Sequence, residues 1–107
     1  MPSWVVDVLR IHKLTDSIDR LVLADDLLVD VPTQFLKVGE NERISVDISE
    51  AKTAYTGGVC LCGIVYANGD GVALVSCGGL LCRVPAVLEN RQMVFVSVNK
   101  SRRRRRE

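Results

Sequence analysis

Apolar and polar positions along the chain change over in short runs that lack the three-to-four-residue period of an amphipathic helix. WVVDVLRI (4–11), RLVLA (20–24), LLVDV (27–31) and RISVDIS (43–49) are rich in β-branched and aliphatic residues and are too short for buried helices. VCLCGIVY (59–66), GVALVS (71–76), LLCRV (80–84) and QMVFVSVN (92–99) continue the series. Pro32 and Pro85 end strands because neither can donate a ladder hydrogen bond. Asn68-Gly69, between Tyr66 and Gly71, is a hairpin signal, since both residues tolerate φ > 0.

About eight short strands at near-regular spacing predict an all-β fold that closes on itself, which removes exposed sheet edges. A small Greek-key barrel of the OB type fits this pattern, with helix confined to one or two turns in SEAKTAY (49–55) or PAVLENR (85–91). The stretch ALVSCGGLLCRV (73–84) would read as one strand but for Gly78 and Gly79. A glycine inside a strand costs roughly 0.5–1 kcal/mol relative to alanine. Two together predict a sharp barrel corner, or a place where another chain comes close.

At 107 residues, 48% hydrophobic and 25% charged, the chain has the size of one domain with one core. The reading is a barrel over residues 1–99 and a disordered basic tail over 100–107. The net charge of +1 conceals an asymmetry, because Lys100 and Arg102, Arg103, Arg104, Arg105 and Arg106 outweigh Glu107 in the tail, while the rest carries 8 basic against 12 acidic side chains, or −4. The most apolar window, 57–84, is broken by Asn68, Asp70 and glycines and does not supply a membrane helix. The N-terminus lacks the pattern of a secretory signal, so a soluble intracellular protein is expected.

Candidate chemistry is sparse. Cys60 and Cys62 stand at i, i+2 rather than in a zinc knuckle, and Cys77 and Cys82 flank the glycine pair. Buried free thiols acting as small apolar residues are the preferred reading, with a cross-strand disulfide as the alternative. His12, the single histidine, has no nucleophile signature beside it. Asp25, Asp26 and Asp30 could form a metal cluster, but a solvated turn at Asp25 and Asp26 explains them more simply. ANGDG (67–71) is too short for a phosphate loop. Hence no catalytic residue, metal site or cofactor is expected. Single-strand binding needs a basic groove with stacking aromatics, whereas this body is acidic and Trp4, Phe35, Tyr55, Tyr66 and Phe95 are scattered. Nucleic-acid contact is expected only of the arginine tail, through salt-sensitive phosphate contacts.

Three stretches resemble one family. Gly78, Gly79, Leu80, Leu81 and Arg83 are similar to the Gly-Gly-Leu-Leu-x-Arg hallmark of the eighth subunit of eukaryotic and archaeal DNA-dependent RNA polymerases. Gly63, Val65, Tyr66, Gly69 and Asp70 resemble its Tyr-Gly-x-Val-Tyr strand and following turn, and Arg20, Leu21, Leu27, Asp30, Val31, Gln34 and Val38 resemble its first half. The likeness runs over about 19–99. It implies an OB-type barrel with no active site, docked on the largest, catalytic subunit of the polymerase near its pore and funnel, with Gly78, Gly79, Leu80, Leu81 and Arg83 as the interface. The short EAKTAYTGG (50–58) connection and the trimmed turn before the glycine pair look like archaeal members, for which the location would be the cytoplasm; a eukaryotic member would be nuclear. The arginine tail lies outside the family pattern. The competing function is a free-standing OB-fold protein that binds RNA or single-stranded DNA through that tail.

Overall fold

Valine, isoleucine and leucine at alternate positions put one face of each strand into a common interior, and eight such strands close around it. The computed structural model describes residues 2–51 and 58–101. The strands are β1 (Ser3–Thr15), β2 (Ile18–Leu23), β3 (Leu28–Pro32), β4 (Arg43–Ser49), β5 (Gly58–Gly69), β6 (Val72–Cys77), β7 (Leu80–Val84) and β8 (Met93–Lys100). They form a closed barrel in the order β1-β2-β3-β7-β6-β5-β8-β4, with every neighbouring pair antiparallel. Val8, Leu21, Ile44, Val65, Val75, Val84 and Val96 are wholly buried in one core. The Greek-key barrel expected from the strand pattern is thus the fold of the chain. No helix of the described residues is long and apolar enough to cross a membrane.

The ring contains the same Greek key twice. β4-β1-β2-β3 and β8-β5-β6-β7 each place a fourth strand beside the first of three consecutive ones. The agreement extends to single hydrogen bonds. Val8 donates to the Glu42 carbonyl at 2.8 Å and accepts from Asn41 N–H at 2.8 Å; Val65 donates to the Gln92 carbonyl at 3.0 Å and accepts from Arg91 N–H at 2.7 Å. Asn41 and Arg91 both hold positive φ, 72° and 66°, and each half carries a bulge just after its valine, at Leu9 and at Tyr66. The halves join through β4–β8 and β3–β7.

Several local expectations shift. The β5–β6 hairpin turns at Asp70 and Gly71, with φ of 56° and 78°, while Asn68 and Gly69 remain paired with Ala73 and Val72. No helix forms over 85–91; Gln92 N–H bonds the Glu89 carbonyl at 3.1 Å and Arg91 goes left-handed, which stops any helical turn and launches β8. Among the described residues the one short 3-10 segment is Ala24–Asp26, where Asp25 and Asp26 take φ of 63° and 66°. Lys100 belongs to β8, opposite Ile44, and Ser101 N–H bonds the Arg43 carbonyl at 2.9 Å. The proposed contacts Arg102 to Arg106, and Tyr55, lie outside the described residues.

Candidate docking face

Gly78 and Gly79 form a two-residue hairpin turn between Cys77 and Leu80, with φ of 61° and 93°. Positive φ at both central positions is the type I′ arrangement that matches strand twist, and glycine adopts it without strain. Beyond its chain neighbours, a Cβ on either residue would meet no atom of the described residues within 4 Å. The backbone conformation demands these glycines, and the space beyond them is open. Gly63 has the opposite reason: a Cβ there would lie 2.5 Å from Cys77 Sγ and 2.7 Å from the Ser76 carbonyl oxygen, so β5 and β6 approach only because it lacks one.

Beside the turn, Gly79, Leu80 and Leu81 join Tyr66 and Ser76 in an open groove of about 400 Å³. Gly78 is exposed at its edge. Arg83 takes no part in the groove lining; its Nε donates to the Asp26 carbonyl at 3.1 Å and so ties β7 to the β2–β3 turn. The groove continues into a row of outward side chains across the second half, Leu81 opposite Ser76, Ser76 opposite Ile64, and Ile64 opposite Met93. Ile64, Tyr66 and Met93 are 44%, 54% and 56% exposed. On the next row Cys62, also exposed, faces Phe95.

The first half supplies a contrast. Ile64 and Met93 precede Val65 and follow Gln92 just as Asp7 and Arg43 precede Val8 and follow Glu42, and each pair sits across two antiparallel neighbours. Asp7 and Arg43 form an ion pair at 3.1 Å. One topological position thus carries a salt bridge in one half and two exposed apolar side chains in the other.

Under this face the barrel is closed at β3–β7 by two ladder positions, Leu28 opposite Arg83 and Val29 opposite Cys82. Asp30, 2% exposed, extends the seam with its side chain. It accepts from Leu81 N–H at 2.9 Å and from Arg20 Nε and Nη2 at 2.7 and 3.0 Å, a bidentate pairing. This hydrogen bond raises the Arg20 pKa above its ordinary value, against a partly opposing desolvation. Asp30 is therefore a clamp on β7, separate from the solvated turn at Asp25 and Asp26.

All four cysteines are free. Cys77 and Cys82 are buried as expected, but Cys62 is exposed and Cys60 half-buried, because the i, i+2 pair faces outward. Burial pushes the Cys77 thiol up to about 11, with Cys62 and Cys60 adding, and burial likewise raises Cys82. Both are protonated near neutral pH. Among the described residues no group of three or more His, Cys, Asp or Glu side chains is placed to hold a metal ion. No protein-family model and no curated protein matches the chain.

The glycine turn and its leucines stand out in the sequence, whereas Ile64, Ser76 and Met93 do not. A signal for Ile64 was there: VCLCGIVY is apolar on both strand faces, whereas RISVDIS of β4 alternates cleanly. A one-sided barrel wall calls for alternation; an unbroken apolar run implies that its outer face is also to be covered.

Proposed function

We propose that this chain is a non-catalytic structural and assembly subunit of a DNA-directed RNA polymerase, docking on the largest, catalytic subunit through the outer face of β5–β8. The observation that carries the docking role is the exposed Ile64–Met93 pair where the other half has the Asp7–Arg43 ion pair. Exposed apolar side chains that form one row on a sheet, beside a groove, have the composition of an interface core with its polar groups set around it. The choice of partner rests on the resemblance carried by Gly63, Tyr66, Gly78, Gly79, Leu80, Leu81 and Arg83. An archaeal-like chain of this kind works in the cytoplasm.

Affinity purification of the tagged full-length chain from its native cell, washed at high salt, tests this reading. The expected result is recovery of the polymerase with its largest subunit, since apolar contacts resist salt. Recovery of RNA or single-stranded DNA that salt releases, without polymerase, would replace it by tail-mediated nucleic-acid binding.

A further inference from the structure

A closed barrel should have no free strand edge, yet β1 has one. Ser3 to Asp7 pair with β4, and Val8 bonds Asn41 and Glu42. Beyond Val8 the strand runs on through Thr15 paired with β2 on one side only. Among the described residues no backbone hydrogen bond reaches its other side over 9–15.

The second half shows what a covered edge looks like. There β5 overruns Val65 by only the four residues 66–69, and Asn68 fastens it, donating from Nδ2 to Asn90 Oδ1 at 2.8 Å and accepting from Leu88 N–H at 3.3 Å. The β1 overhang is longer, and no comparable bond ties it to 33–42 among the described residues. Bulges at Leu9 and Leu14 bracket four residues, Arg10, Ile11, His12 and Lys13, that keep regular register with Val22, Leu21, Arg20 and Asp19.

Charge selects the occupant. Arg10, His12 and Lys13 are exposed, and neither Arg10 nor Lys13 has an ion-pair partner among the described residues. Of the three acids on this hairpin, Asp16 is exposed, Asp7 is paired with Arg43, and Asp19 is buried beside Lys37 Nζ at 3.3 Å. β1 and β8 run the same way, so Lys100 lies at this end of the barrel too, where it pairs with Glu42 at 3.7 Å.

From this we infer that the free edge of β1 at Arg10, Ile11, His12 and Lys13 accepts an extended acidic segment of a partner protein, which adds to the barrel as a further strand. Main-chain bonds would hold the segment, and cross-strand neighbours would select it: acidic side chains level with Arg10 and His12 on the outer face, an apolar one level with Ile11. The inference concerns a surface distinct from the β5–β8 face and stands whichever assembly the chain joins.

The test uses the full-length chain and a capped seven-residue peptide of alternating Glu and Val, followed by fluorescence anisotropy and by amide exchange. The same peptide N-methylated at alternate backbone nitrogens keeps its charge but cannot complete a ladder. The expected result is at least tenfold weaker binding of the methylated peptide, protection of amides within 10–13 by the unmethylated one, and a switch of preference to a Lys–Val peptide in the Arg10→Glu/His12→Glu variant. Equal binding of the methylated peptide would mean attraction by the arginine tail alone and would overturn the inference. So would protection outside β1, or an oligothymidylate that protects 10–13 where the peptide does not.

Discussion

Asp30 shows how one side chain can finish a barrel. The ladder between β3 and β7 covers two positions, and the third, at Leu81, is made by the Asp30 carboxylate, whose remaining capacity is filled by Arg20. Asp30→Ala would leave Leu81 N–H and a part-buried guanidinium without their acceptor, a loss of roughly 2–3 kcal/mol. Asp30→Asn keeps one acceptor oxygen for Leu81 and should lose clearly less, so urea unfolding should rank wild type above Asn above Ala. Equal stability of Ala and wild type would remove the clamp. In the sequence Asp30 is visible only as a carboxylate near Asp25 and Asp26 and as one residue of a resemblance. Its role depends on β7, fifty-one residues away along the chain, and no local pattern encodes a contact of that separation. The cysteines show the same limit: i, i+2 spacing places Cys60 and Cys62 on one face but does not say which face.

At the level of elements the strands were legible because their periodicity is local, and β4 and β7 begin and end where the apolar runs do. Where two turn signals overlap, as in Asn68-Gly69-Asp70-Gly71, the register chooses, and here Gly69 pairs with Val72 and leaves Asp70-Gly71 to turn. The internal repeat escaped the sequence reading because equivalent turns use different residues. Asp25-Asp26 and Gly78-Gly79 both hold two successive positive φ angles, one with aspartates and one with glycines. At Gly79, φ of 93° makes any side chain strained although the space around it is open. Gly79→Ala and Gly79→Val should therefore lose about 1–3 kcal/mol through backbone strain alone. If the turn also meets a partner, Gly79→Val, while still folded, should be incorporated into the polymerase less well than Gly79→Ala of matched stability. Equal incorporation would confine the glycine pair to the hairpin.

The whole molecule is a barrel of two topologically equivalent halves with unlike surfaces. Both halves expose apolar side chains, Val5, Leu9, Leu14 and Phe35 in the first and Ile64, Tyr66, Val87 and Met93 in the second, but at one equivalent position the first carries the Arg43–Asp7 ion pair and the second the exposed Ile64–Met93 pair. That difference is the central ground for a docking role, and the repeat itself supplies the variant that tests it. Ile64→Asp/Met93→Arg installs in the second half the pair that the first half already tolerates at the equivalent position, so the fold should survive with a melting temperature close to wild type. The decisive measurement is competitive reconstitution, in which this double variant and wild type, differently tagged, are mixed with the subunits of the proposed polymerase partner and the assembly is assayed for each tag. Docking through β5–β8 predicts that the folded variant is incorporated at least tenfold less than wild type, because two charges would be buried where an apolar row packs. Incorporation of the folded variant on equal terms with wild type would contradict it.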